Sequence, residues 1–489
     1  MGFKADTSFL RFLSMGAVGV RQTMQQLRTA GFEPIELERY CGSNKIWATK
    51  VKRLRVPDVL CVRTGLRLEI RAKSALTIKM SDAENNADRR WDVGLRDDDV
   101  IAYIAITDTD GTPQAADEAV FFDTKDLRDS VVTSKLGPAK SASEGAEKDR
   151  TWPACVPKKD GTVLLVDAER IVAEMVGDDG STRKQTFSLK GGKHPYVKPG
   201  DTFKGDASII AGTPAKLANI LAFRNREYDP LAGLQETNAL DRYAAVKAIP
   251  YRAELKSKAI PALEALLQTE AEPRVALEAA GSAAKLGSAM GEERIVQAIA
   301  GGSLPFLPME AVFILTELKS PFARQQMVEL ATNKQLQGDE RRQAAIWGLG
   351  KAGQKAYAEI VPLIADPNEN VAMHAIVSFG HDTPENVLSL LVEELLKGDP
   401  RHAAAASEAL RLSASEVSVR LLIEAARKNS NWALATLGRL PPQLVKPLTD
   451  GTDLESKLAP MLLLSEGAHW LASEDRVLDI AFLAKQNLY

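Results

Sequence analysis

The sequence predicts a multidomain α+β chain. It has an N-terminal α/β domain, a small β-rich middle section and a C-terminal array of helix pairs. Three observations carry this. The first 180 residues mix an amphipathic helical stretch with short alternating and β-branched runs. Residues 181–236 hold short apolar runs punctuated by Gly191, Gly192, Pro199, Gly200, Gly205 and Gly212. From residue 237 onward a small-residue helical pattern recurs to the end of the chain.

A length of 489 residues is too great for one ordinary core and implies two to four domains. The chain is 45% hydrophobic and 26% charged, as expected of a soluble globular protein. Its formal net charge is −3, so any site for a polyanion must be a local patch. Cys41, Cys61 and Cys155 are odd in number and lack metal-ligand spacing, which fits a reduced, cytoplasmic compartment. The five dispersed histidines give no zinc pattern. No apolar run is long enough to cross a bilayer, and the opening residues lack a long apolar leader core.

In chain order, residues 14–30 read as a helix stopped by Gly31. FEPIELERY follows, where Ile35 and Leu37 alternate with Glu36 and Glu38, a strand pattern. A basic stretch, KIWATKVKRLRV, comes next. Then PDVLCVRTGLRLEIRAK begins at Pro57. In a strand, Leu66, Leu68, Ile70 and Ala72 point one way, and Arg67, Glu69, Arg71 and Lys73 the other. A hairpin brings Asp58 alongside. Two carboxylates can hold a divalent metal, and nearby cations can orient water or stabilise a pentacovalent phosphate.

A helical region is expected before VIAYIAI, a buried strand, and AVFFDTKDLRDS reads as a strand leading into a helix. Residues 135–160 read as an exposed linker and GTVLLVDAERIVAEMV as a strand followed by a helix. In the C-terminal part, DRYAAVKAIP, EAAGSAAKLG, AVFILTELK, RRQAAIWGLG, VAMHAIVSFG, AAASEALRL and NWALATLG recur at spacings of 27 to 37 residues. Amphipathic helices lie between them, so each unit is a helix pair. Trp347, Trp432 and Trp470 fit packing between such pairs. His374 reads as a packed helix residue.

The order helix, strand, Pro-Asp strand, Glu-bearing strand, helical region and buried strand resembles the core of the PD-(D/E)xK nuclease superfamily. The resemblance spans about residues 10–130, on a short motif. It implies a magnesium- or manganese-dependent endonuclease with Asp58 and Glu69 as metal ligands. The superfamily's lysine, two residues after the Glu, is Arg71 here. Arginine stays protonated and is a poor general base, although it can stabilise charge. Lys73, one pleat further on the same face, is the candidate to activate water. This leaves two versions: an active nuclease, or a non-catalytic nucleic-acid-binding or protein scaffold. Superfamily members often place a further acid on the first helix. None occurs here, so Gln22, Gln25 or Glu36 are candidates for support.

The basic stretch holds Lys50, Lys52, Arg53 and Arg55, candidates for DNA backbone contact, with RNA as the alternative. Asp92, Asp97, Asp98 and Asp99 read as a solvated loop and helix cap, or as a second metal site. Lys193 and His194 offer a phosphate contact or a plain exposed turn. The Ala-Ala-x-x-Leu-Gly pattern resembles HEAT repeats. That resemblance implies a solenoid over residues 237–489 that binds a protein partner, a second copy of the chain or nucleic acid. The combination resembles bacterial anti-phage defence nucleases, an analogy of context.

Overall fold

The computed structural model describes residues 7–37, 39, 47, 49, 54–83, 86–109, 112–137, 148–217, 220–301, 304–336, 339–350, 356–397 and 399–458. The chain divides into two compact units. One comprises residues 11–40 and 53–286, the other residues 1–10, 41–52 and 287–489. The chain is mixed α+β, with sheets in its N-terminal part and many helices in its C-terminal part.

Helix α1 spans Thr7–Thr29. Its buried stripe of Ala17, Val20, Met24 and Leu27 recurs at three- and four-residue steps. Gly31 takes a φ of +84°, a left-handed value that favours glycine, and terminates the helix. The amides of Gly31 and Phe32 then donate back to the carbonyls of Arg28 and Leu27, at 2.9 and 3.0 Å.

The main sheet contains β1 (Pro34–Glu36), β2 (Val59–Cys61) and β3 (Arg67–Lys73). Strand β4 (Lys79–Asp82) leaves for another sheet, and β5 (Val100–Thr109), β6 (Thr112–Ala115) and β7 (Val120–Asp123) complete the main one. Its order is β1-β2-β3-β5-β6, with β7 also paired to β5. Strands β1 and β2 pair antiparallel, as do β2 and β3. Strands β3 and β5 are parallel, in register from Leu68 with Val100 to Lys73 with Ala105. The β3–β5 connection contains β4 and a short 3₁₀ turn at Ala87–Arg89, with no α-helix among its described residues. This corrects the helical region expected there. The stretch from 81 to 99 is dominated by Asp, Asn and Arg and has no apolar stripe with which a helix could pack.

Helix α1 packs on one sheet face, against Val59, Cys61, Leu66, Leu68, Ile70, Ala102 and Ile104. The approach is close: a Cβ on Gly19 would meet the Ala72 Cβ at 2.9 Å. On the other face, Ile101, Tyr103 and Phe122 pack with Ile78, Trp91, Leu127 and Trp152. Burial on both faces explains why VIAYIAI is apolar at nearly every position.

Helix α2 (Thr124–Asp129) follows β7, as expected. Strands β8 (Thr133–Leu136) and β9 (Lys148–Thr151) pair with β4 in the order β4-β9-β8. The linker expected over residues 135–160 therefore contains sheet. Trp152 anchors it, donating from Nε1 to the Leu127 carbonyl at 2.9 Å and meeting Trp91 edge-on. Strand β10 (Ala154–Cys155) precedes β11 (Gly161–Val166) and β12 (Arg170–Val176), an antiparallel hairpin where strand and helix were expected. The cause is local. Asp167 accepts from the amides of Glu169 and Arg170, both at 2.9 Å, and fixes a turn. Ile171, Ala173 and Met175 are then buried with period two, which suits a strand. Strands β13 (Thr182–Ser188), β14 (His194–Pro195), β15 (Thr202–Phe203) and β16 (Ala211–Gly212) follow. They form sheets of order β13-β12-β11-β15 and β10-β16-β14.

Helices α3 (Pro230–Gly233), α4 (Ala239–Ala248), α5 (Lys256–Thr269) and α6 (Pro273–Lys285) complete this unit. Ala244 and Ala248 of α4 pack on Ile35, Leu37, Leu60 and Val62. They cover the β1–β2 end of the face opposite α1.

The second unit contains α7 (Ala289–Ala300), α8 (Leu307–Leu318), α9 (Pro321–Thr332), α10 (Glu340–Leu349), α11 (Tyr357–Ile360) and α12 (Glu369–Ile376). It continues with α13 (Glu385–Leu396), α14 (Pro400–Leu412), α15 (Glu416–Arg427), α16 (Asn431–Leu437) and α17 (Pro442–Thr449). Ser288, Ser320, Asp339, Asn368, Asp399, Ser415 and Ser430 each cap a first turn through the side chain. Helices α8, α10, α12, α14 and α16 pack each on the next, while α13, α15 and α17 form a second series. Fully buried alanines such as Ala344, Ala375 and Ala406 let these helices approach closely. Trp347 and His374 are buried, and the His374 ring stacks on Trp47. Trp432 is 37% exposed, which corrects its expected packing role. Trp470 lies outside the described residues.

Candidate functional site

The β2–β3 register sets Val59 opposite Leu68. One step further, Asp58 stands opposite Glu69, where the two side chains share a sheet face. Asp58 is 5% exposed, and its Oδ2 accepts from the Ile70 amide at 2.6 Å. Strand β2 begins at Val59, so the carboxylate supplies an acceptor to β3 where the backbone ladder stops. Glu69 is mostly buried and pairs with the Arg71 Nη2 at 2.7 Å. Lys73 is half-buried two residues further on the same face. Desolvation pushes its ammonium down to about 8, with help from the Arg71 and Lys79 cations and against the pull of Asp149. The expected alternation therefore holds: Leu66, Leu68, Ile70 and Ala72 face α1, and Glu69 and Arg71 share the other side.

Arg67, expected on the same polar edge, is instead buried at 2% exposure. Its Nε donates to Asp99 Oδ1 at 2.8 Å, its Nη2 also binds Asp99, and its Nη1 donates to Asp241 Oδ1 at 2.6 Å. This network ties β3 to the start of β5 and to α4. The other acids of the expected cluster also meet arginines. Asp92 and Asp97 pair with Arg128, and Asp98 with Arg226 at 3.0 Å. Asp99 is wholly buried, so a solvated loop describes only part of this cluster.

The support candidates lie elsewhere. Glu36 stands opposite Val59, one residue out of phase with Asp58, and so belongs to the α1 face of the sheet. Gln22, on α1, donates to the Asp117 carbonyl at 3.2 Å, and Gln25 is exposed. Register does not bring these groups to the Asp58–Glu69 face. Lys50, Lys52 and Arg53 lie outside the described residues, and Arg55 is exposed.

Sequence reasoning missed Tyr103. Parallel pairing sets it beside Arg71, and it is fully buried, with no hydrogen-bond partner for its hydroxyl among the described residues. Desolvation pushes the phenol up, and the Glu69 carboxylate adds to this. Its signal was hidden inside an apolar run. Among the described residues no group of three or more His, Cys, Asp or Glu is placed to hold a metal. The hard-oxygen donors of the site are Asp58 and Glu69, a pair suited to magnesium or manganese, which commonly keep several waters.

No protein-family profile and no curated protein matches the chain. Among solved structures it is similar to two crystal structures of engineered proteins. One is 15% identical with a TM-score of 0.25, covering 53% of this chain and 87% of that one. The other is 16% identical with a TM-score of 0.20, covering 48% and 94%. Similarity this low carries no argument about fold or function.

Proposed function

We propose that the chain is a divalent-metal-dependent hydrolase of nucleic-acid phosphodiester bonds, acting on DNA in the first instance. One observation carries this reading. Asp58, at the head of one strand, is hydrogen-bonded to the adjacent strand, which bears Glu69, Arg71 and then Lys73. The strand order, with β1, β2 and β3 antiparallel and β5 parallel to β3, supports the resemblance to PD-(D/E)xK nucleases. Among the described residues no α-helix lies between β3 and β5, which counts against it.

Asp58 and Glu69 would hold magnesium or manganese, which supplies charge stabilisation at the phosphate. For Glu69 to serve, its ion pair with Arg71 must open, and Arg71 is then available to the phosphate. The water oxygen forms the new bond to phosphorus, the bond from phosphorus to the leaving sugar oxygen breaks, and neutral Lys73 takes the water's proton. A lysine with a pKa near 8 is partly neutral at physiological pH, as an arginine is not.

The helical unit supports a HEAT-like solenoid that recruits a protein partner, a second copy or nucleic acid. Helices packing on their next-but-one neighbours are what stacked helix pairs require. Among the described residues no helix is long and apolar enough to cross a membrane. A cytoplasmic role in bacterial anti-phage defence is the setting this combination suggests, by analogy alone.

A second reading has its own support. The Glu69–Arg71 pair neutralises a metal ligand, as a domain that binds without cleaving would allow. The two readings separate when the full chain is incubated with plasmid DNA, single-stranded DNA or RNA, with magnesium or manganese. Metal-dependent cleavage supports the enzyme. Retention of these nucleic acids without cleavage supports the scaffold.

A further inference from the structure

Between Ser181 and Gly200 the chain carries Arg183, Lys184, Lys190, Lys193 and Lys198, together with His194, and no Asp or Glu. In a protein of net charge −3 this is a pronounced local excess of positive charge. The structure gives the excess a shape. Residues 182–188 form β13, which pairs only with β12 among the described residues and is therefore an edge strand. All its residues are exposed except Phe187, which is half-buried against the local core.

The cations lie at the two ends of this edge. Arg183 stands opposite Met175 at one end, and Lys190 follows Ser188 at the other. The strand rise sets them about 20 Å apart. Lys184 faces Glu174 across the ladder, the one acid in register with this strand. Lys193 folds back onto the carbonyls of Ser188 and Lys190, at 3.4 and 3.0 Å, which holds its charge over the turn. Gly191 and Gly192 form that turn with φ of +81° and +78°. A Cβ on Gly191 would meet nothing within 4 Å, and one on Gly192 only a Val131 methyl at 3.9 Å, so the backbone there is open to close approach. Elsewhere in this module lysines are ion-paired: Lys158 with Asp206 at 2.8 Å and Lys204 with Asp160 at 2.7 Å. A charged edge also guards against strand addition, which disfavours an extended peptide as the occupant.

We infer that the β13 edge and the turn after it form a contact surface for the phosphate backbone of a nucleic acid. Arg183, Lys184, Lys190 and Lys193 are its cations. The inference rests on the nucleic-acid reading above and not on cleavage. It adds residues 183–193 to the basic stretch at residues 50–55 as a backbone contact.

The test is fluorescence anisotropy of the full chain with labelled duplex DNA, single-stranded DNA and RNA, across a salt series. The variant is Lys184→Glu/Lys190→Glu/Lys193→Glu, with Lys184→Gln/Lys190→Gln/Lys193→Gln as a milder companion and Lys158→Gln as control. Losing three phosphate contacts should weaken binding at least about tenfold and flatten the salt slope by roughly 3. The control should bind as wild type, and the tightest of the three probes identifies the preferred nucleic acid. Unchanged affinity and slope in the Gln variant would overturn the inference, as would binding to anionic lipid vesicles but to none of the three probes. Asp58→Asn keeps the two proposals separable. Patch-dependent binding without cleavage by wild type sinks the enzyme alone, whereas Asp58-dependent cleavage with patch-independent binding sinks the patch alone.

Discussion

The Asp58 carboxylate accepts the amide hydrogen of Ile70 at 2.6 Å, so a candidate metal ligand also closes the β2–β3 ladder. These two roles can be separated. Asp58→Ala leaves the Ile70 amide without its side-chain acceptor and should cost about 1–3 kcal/mol of stability. Asp58→Asn keeps an acceptor oxygen and should lose less, while losing the charge that a metal needs. Chemical denaturation of both variants checks this, and equal losses would show that the hydrogen bond contributes little.

The Arg67–Asp99 pair is buried at both ends and shared with Asp241. Removing one member strands the other in a low-dielectric interior. Arg67→Met should therefore destabilise the N-terminal unit by roughly 3–5 kcal/mol. Pairing Arg67→Met with Asp99→Asn should recover part of that loss in a double-mutant cycle read by thermal unfolding.

Lys73 supplies a pH signature. Its folded pKa is lowered to about 8 from the ordinary lysine value of 10.5. Between those values the unfolded chain binds more protons, so this residue makes stability rise with pH from about 8 to 10.5. At lower pH the lysine is charged in both states and its burial penalty is constant. Lys73→Met should remove that rise and increase stability at pH 7 by roughly 1–3 kcal/mol. If Lys73 is the base, cleavage by wild type should also increase through pH 8, and Lys73→Met should lose roughly 10²-fold in rate.

In the helical unit, Trp47 is 3% exposed and stacks on His374 with ring centroids 5.3 Å apart. It also meets Phe313 and Trp347 at 5.7 and 6.2 Å. Burial pushes His374 down to about 4, so this cluster stays uncharged at neutral pH. Trp47→Ala should destabilise this unit by about 3–5 kcal/mol, measured by the thermal transition of the full chain.

Some of this was legible in the sequence because its causes are local. The α1 stripe, the Gly31 stop and the alternation from Leu66 to Lys73 depend only on near neighbours. The β11–β12 hairpin was not, because a single Asp167 turn decides whether residues 170–176 alternate as a strand or continue as a helix. The burial of Arg67 was not legible because its partners Asp99 and Asp241 lie 32 and 174 residues away. Glu36 looked available beside the site, yet register, which depends on the partner strand, sets it on the other face. The repeating helices were readable from Ala and Leu spacing, whereas the seating of Trp47 among them depends on tertiary packing.

The central claim is tested most directly by the initial rate of supercoiled plasmid cleavage, with manganese, by wild type, Asp58→Asn and Glu69→Gln at equal folded concentration. Wild type should nick the plasmid, and both variants should fall by roughly 10²–10³-fold, because each loses charge where the transition state needs it. Cleavage undiminished in both variants would contradict the assignment of this site.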